Sequence, residues 1–224
     1  MDDLLDRYGE LLREVDVWFA VCVERHPGLI NCHQGCSECC RGLFDITLLD
    51  ALYLKRGLDQ LHKATRDNVC RKSAERLSEM SQRWPEFSDP WILNHISENQ
   101  WDEMMPEEDE TPCVLLSDSG SCLVYDYRPM TCRLNGIPLI DLSGDELFDD
   151  WCTLNFIGVD PVLLENIRHP FNDLFTQEQL LFRELTRRLS GRAINEVDTI
   201  IPAAVFMDRA RLSSICLPVM CADN

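Results

Sequence analysis

Eight cysteines fall into two blocks whose spacing suits metal ligation. The first block is Cys32, Cys36, Cys39 and Cys40, in NCHQGCSECCRG. The second is Cys113, Cys122 and Cys132, in CVLLSDSGSCLVYDYRPMTCR, followed by Cys152. Thiols this dense end as disulfides, zinc ligands or iron–sulfur ligands. A chain of 224 residues buries enough surface to hold a core without disulfides. Cys39 and Cys40 are adjacent, and bridge geometry strains an adjacent pair. The opening MDDLLDRYGELLREVDVWF has charges every few residues and no apolar stretch of the kind a secretory leader carries. No run of eighteen apolar residues occurs anywhere. A cytoplasmic, reducing setting is therefore expected, and there clustered cysteines favour metal.

If Cys36 opens a helical turn, Cys39 and Cys40 share its face at the third and fourth positions. Cys32 can close on them from the preceding loop. Cys32, Cys36, Cys39 and Cys40 then make one four-sulfur site, and Cys113, Cys122, Cys132 and Cys152 a second. Interleaved pairing fits equally well, because neighbouring cysteines in compact sites can serve different centres. Eight thiolates match two tetrahedral zinc sites, or a four-iron cluster plus a structural metal. All-sulfur ligation admits both Zn2+ and iron. Zinc has no redox chemistry and takes tetrahedral thiolate sites left by an oxidised cluster, so zinc is expected in material made in air. An iron–sulfur cluster is its rival in the cell.

Basic residues near the thiols bear on their charge. Arg128 and Arg133 flank Cys132 and could offset thiolate charge, whereas His33 and Arg41 read as surface residues. The net charge of −18 argues against nucleic acid and anionic membranes as partners. A metal ion is the expected partner, with another protein as the second.

The elements that must position these residues are mostly helical. Residues 3–25 carry an apolar stripe from Leu4 to Cys22, which makes Cys22 a core residue, and Pro27-Gly28 ends the helix. Thr47 and Asp50 signal the start of a second helix that should stop near Gly57. A third is expected over about 59–83, with Cys70 as a bystander. An acidic connector, 85–112, follows. Its MPEEDETP stretch should be exposed, and WILNHISENQW should form a short helix that plugs a core edge with Trp91 and Trp101. CVLL and CLVY flank SDSG, a hairpin signature with Gly120 in the turn, which would bring Cys113 and Cys122 together. Pro129 marks a helix start for Cys132. A second hairpin is expected to turn at Ser143-Gly144. From Asp160 to Gly191 the spacing predicts helix, and INEVDTIIPAAVFMDRARL a helical or mixed segment. Cys216 and Cys221 read as free thiols. The expected fold is mainly α with a small β-hairpin element. Its parts are an N-terminal helix at 1–28, a metal-stabilised cysteine-cluster domain at 29–158 and a helical extension at 159–224.

The Cys-x2-Cys-Cys ending of the first block, the Gly-x-Cys-x-Val-Tyr element and the Arg-Pro-x-x-Cys-Arg element together resemble the CxxCxxCC cysteine-cluster proteins. These YkgJ-like proteins are described as zinc- or iron-chelating. The resemblance covers roughly residues 30–155. It implies chelation by Cys36, Cys39, Cys40, Cys113, Cys122 and Cys132, with Cys32 and Cys152 matching more loosely. Three residues separate Cys32 from Cys36, where the family has two.

Two function classes follow. One is a zinc- or iron-binding protein for metal handling, or a module whose metal fixes an interaction surface. The other is an enzyme. Some relatives are linked to flagellin lysine methylation, and a cluster-dependent redox reaction is a further possibility. The chain has no G-x-G, no P-loop, no H-E-x-x-H and no G-x-S-x-G. Cys32, Cys36 and Cys39 do match C-x3-C-x2-C, yet no repeated strand–helix pattern accompanies them. The five histidines are scattered, and no nucleophile–base set stands out.

Overall fold

The computed structural model describes residues 1–33, 35–106, 108–208 and 212. Cys216 and Cys221 lie outside the described residues. The chain folds as a mainly helical protein with two small antiparallel sheets of two strands each. Helix α1 (Asp2–Arg25) buries Leu4, Leu5, Tyr8, Leu11, Leu12, Val15, Trp18 and Cys22, the stripe that its sequence presents. That stripe packs on α2 (Leu48–Leu58), α5 (Met130–Leu134) and α6 (Phe171–Ser190). Residues from Leu4 to Leu212 share this main core, so α1 and the C-terminal segments pack with the cysteine region.

Thr47 caps α2, its Oγ1 accepting from the Asp50 amide at 3.1 Å. Gly57 lies inside α2, one residue before its end. A Cβ there would stand 2.5 Å from Tyr127 Cγ, so the position is glycine because an aromatic ring lies on it. Alanine favours a helix by about 1 kcal/mol over glycine, and an overpacked contact costs about 1–3 kcal/mol. Gly57→Ala is therefore expected to destabilise the protein, measured as a lower urea midpoint with an unchanged slope.

Helix α3 (Lys63–Arg83) follows, beginning four residues later than the sequence suggests. The connector contributes far more to the core than its acidity implies. Phe87, Leu93, Ile96 and Met104 join Leu77 and Met80 of α3 in a second apolar cluster, with Trp91 and Trp101 packed against it. Helix α4 (Glu98–Met104) opens with a capping box between Ser97 and Gln100. The acidic end of the connector is mostly exposed but tied down at Asp109, which pairs with Arg76.

Strand β1 (Asp45–Thr47) pairs with β4 (Asp198–Ile200), Ile46 opposite Thr199, and α7 (Ile201–Ala204) leads on from β4 against α2 and α3. This long-range pairing fixes the segment read as helical or mixed. Strands β2 (Leu139–Ile140) and β3 (Glu146–Phe148) form the expected second hairpin, with Gly144 in its turn at φ +95°. Between Asp160 and Pro170 the chain makes two short 3-10 turns rather than helix, and α6 then runs to a left-handed Gly191 cap. No described helix is long and apolar enough to cross a membrane.

Candidate metal centre

Two backbone contacts zip the cysteine blocks together. The Cys113 amide donates to the Cys40 carbonyl at 2.9 Å, and the Gly42 amide to the Thr111 carbonyl at 2.9 Å. The first block is not helical. The Cys36 amide bonds back to the His33 carbonyl and the Cys40 amide to that of Ser37, both at 3.0 Å, giving two tight turns, the first containing positive-φ Gly35 and the second followed by positive-φ Gly42. One isolated turn is a poor helix nucleus, because it fixes several dihedrals for one hydrogen bond.

The hairpin expected around Gly120 shrinks to a single bridge, Leu116 with Cys122, closed by Ser117 N–H to the Ser121 carbonyl at 2.9 Å. Its Gly120 turn faces the Gly35 carbonyl of the first block. Cys132 lies in α5, whose N-cap position is Pro129. The Met130 amide is held by the buried carboxylate of Asp50 at 2.8 Å. Asp50 therefore serves two helices: it sits in the capped first turn of α2 and anchors the start of α5.

These segments surround a cavity of about 120 Å³ lined by Cys36, Cys39, Cys40, Cys113, Cys122 and Cys132. Cys113 also borders a wider open groove of about 480 Å³ against α3. Cys32 and Cys152 stand beside the cavity rather than on its wall. The Cys32 sulfur accepts from Asn155 Nδ2 at 3.3 Å, and the same amide donates to the Gly136 carbonyl at 2.7 Å. Gly136 has φ +111°, and a Cβ there would approach Cys32 Sγ at 3.2 Å. Cys22 is buried in α1 and Cys70 lies on α3, both away from the cavity wall.

The two arginines have different tasks. Arg128 lines the cavity, stacks over the Tyr125 ring at 3.6 Å and reaches Asp16 at 3.6 Å. Its charge favours the thiolate forms of Cys39, Cys122 and Cys132. Arg133 is buried and not on the cavity wall; it adds its charge to that of Arg128 on Cys122, donates to the Arg128 and Asp126 carbonyls and pairs with Asp16 of α1. His33 is exposed, with Nδ1 at 2.7 Å from the Asn31 carbonyl, and Arg41 pairs with Glu110 at 3.3 Å. Asp16, Asp50 and Asn155 are the polar residues that sequence reading did not connect with the thiols. The capping signal at Asp50 was the sole hint of any of them.

A hydrogen bond between the Cys39 and Cys40 thiols raises Cys39 above the usual thiol range and lowers Cys40. Burial raises Cys122 and Cys132, and pushes Cys113 up to about 11. Neutral thiols pack as small apolar groups. Among the described residues no three Cys, His, Asp or Glu side chains converge tightly enough to hold one ion between them. The donor chemistry nonetheless fits zinc or iron: six soft sulfurs around one cavity, with a guanidinium on its wall.

A helical scaffold that folds two distant cysteine blocks onto a single thiol-lined cavity defines a cysteine-cluster protein. The chain belongs to the CxxCxxCC family, described as a "putative zinc- or iron-chelating domain", which matches residues 31–153, more than half of its length. No curated protein and no solved structure matches the chain.

Proposed function

We propose that the protein binds a metal centre through Cys36, Cys39, Cys40, Cys113, Cys122 and Cys132, with Cys32 and Cys152 as a neighbouring pair able to complete or support it. One observation carries this reading: thiols from three separate stretches of chain line the same cavity. Its role is metal handling, or fixing a surface with metal, and none of the five histidines is on the cavity wall. A single tetrahedral ion with Zn–S bonds of about 2.3 Å leaves no such space between its ligands, so zinc binding draws the 35–42 loop inward. A cluster, being larger, needs less closure.

Zinc is the ion expected in protein purified in air. The check is elemental analysis with X-ray absorption at the zinc and iron edges, beside a visible spectrum of anaerobic material. Brown anaerobic protein with stoichiometric iron and sulfide, and no zinc in either preparation, would reverse the zinc assignment. Protein with no bound metal in either preparation, and none taken up on reconstitution, would sink the metal-centre reading itself.

A further inference from the structure

Eleven large apolar side chains stand exposed among the described residues, and eight of them fall between positions 142 and 163. Single exposed apolar residues need no explanation, but a concentration of them does. The run begins on the second hairpin. All three residues of β3 are exposed, with Leu147 at 39% and Phe148 at 55%. Trp151 follows at 37%, then Leu154 and, at 75%, Ile157. Among the described residues β3 has one strand neighbour, β2, so its outer edge offers backbone groups to a further strand. Its shortness and the carboxylates around it guard this edge against like strands, so a partner must be basic.

Charge decides what can lie there. From Asn135 to Ile167 the chain has no Lys, Arg or His and seven carboxylates. Four of these, Asp145, Glu146, Asp149 and Asp150, bracket Leu147 and Phe148. The Arg168 guanidinium lies against the Gly144 turn, 3.7 Å from where a Cβ there would stand. A second copy, itself at −18, would bring two such surfaces together. Nucleic acid and anionic bilayers are repelled for the same reason.

We infer that the outer edge of β3, with Leu147, Phe148 and Trp151, is a docking surface for a basic, strand-forming segment of another protein. The segment adds a third strand to the β2–β3 sheet. Its main chain bonds to the β3 edge, its apolar side chains cover Phe148 and Trp151, and its Lys or Arg side chains meet the four carboxylates. Cys152 follows Trp151 directly, so the docked segment lies beside the Cys32–Cys152 pair.

The test uses the full-length, metal-loaded protein and three short synthetic peptides: alternating Lys/Val, alternating Glu/Val and alternating Lys/Ser. Calorimetry should show binding of the Lys/Val peptide alone, weakening as salt rises. Hydrogen exchange should show new protection of the 146–148 amides. The combined variant Leu147→Ser, Phe148→Ser, Trp151→Ser should bind at least about tenfold more weakly, with metal content and Tm unchanged. Asp149→Asn with Asp150→Asn should flatten the salt dependence. If the combined variant fails to fold, Phe148→Lys carries the same comparison. The inference fails if the Lys/Val peptide does not bind, binds the combined variant equally well, or is matched by either control peptide. It also fails if sedimentation shows a dimer that the combined variant loses, or if anionic vesicles bind this face.

Discussion

Serine at both Cys40 and Cys113 is expected to abolish stoichiometric metal and to lower the unfolding free energy by about 4 kcal/mol, the linkage energy of a ligand held at a thousand times its dissociation constant. For a chain of this size that is roughly 10 °C in Tm. Serine is nearly isosteric with cysteine but far poorer as a soft-metal ligand, so the loss reports ligation rather than packing. It should also be local. The Cys113 and Gly42 amides, which join the two blocks, should exchange much faster in the variant, while the amides of α6 keep their protection. Cys22→Ala and Cys70→Ala are the controls and should retain full metal. The ligand assignment is wrong if the double serine variant keeps its metal, or if its exchange in both blocks equals that of the parent.

The second large effect concerns proton balance in the core. Tyr8 Oη lies 2.6 Å from Asp50 and 3.1 Å from Glu178. One hydroxyl proton serves only one acceptor, and the shorter contact takes it. Burial, with the Asp50 charge beside it, pushes Glu178 up to about 8, so Glu178 keeps the proton that satisfies the other contact. Burial and its neighbour Glu196 likewise push Asp198 up to about 8. Each group binds its proton more tightly folded than unfolded. Their stabilising contribution is therefore complete below the ordinary carboxylate range and is lost as pH rises through about 8. Stability should fall between pH 5 and pH 8 by on the order of 3 kcal/mol for Glu178 alone. Glu178→Gln, neutral throughout, should match the parent at pH 5 and exceed it at pH 8. Asp50→Ala should cost about 2 kcal/mol at pH 5, because it strands the Met130 amide and leaves the Tyr8 hydroxyl to Glu178 alone. Urea midpoints across the range decide this, and a parent curve rising from pH 5 to 8 would overturn the proton assignment.

The parts legible in the sequence were those governed by local chemistry. The α1 stripe, the Thr47 cap, the Gly191 stop and the turn at Ser143-Gly144 each depend on residues within a few positions. The pairing of Asp45–Thr47 with Asp198–Ile200 joins residues some 150 apart, and nothing in either strand names the other. The second core was hidden because Phe87, Leu93, Ile96 and Met104 are spaced without helical period in an acidic stretch. For the candidate site, residue type pointed to the thiols, and spacing alone left their pairing open. The structure puts six thiols around one cavity and sets Cys32 with Cys152 beside it. The supporting carboxylates, Asp16 and Asp50, act across the fold and leave no mark near the cysteines.

The backbone bond from Cys113 to Cys40 also has a consequence during synthesis. The first block leaves the ribosome with four thiols and none of the wall that faces them. Cys132, on that facing wall, is some ninety residues further on. At about 5–20 residues per second, the early block waits roughly 5–20 s before its cavity exists. Metal captured in that interval is held by an open loop and exchanges freely with competing thiols. Loading at the complete cavity therefore follows the emergence of Cys132 and the docking of α5 on α1.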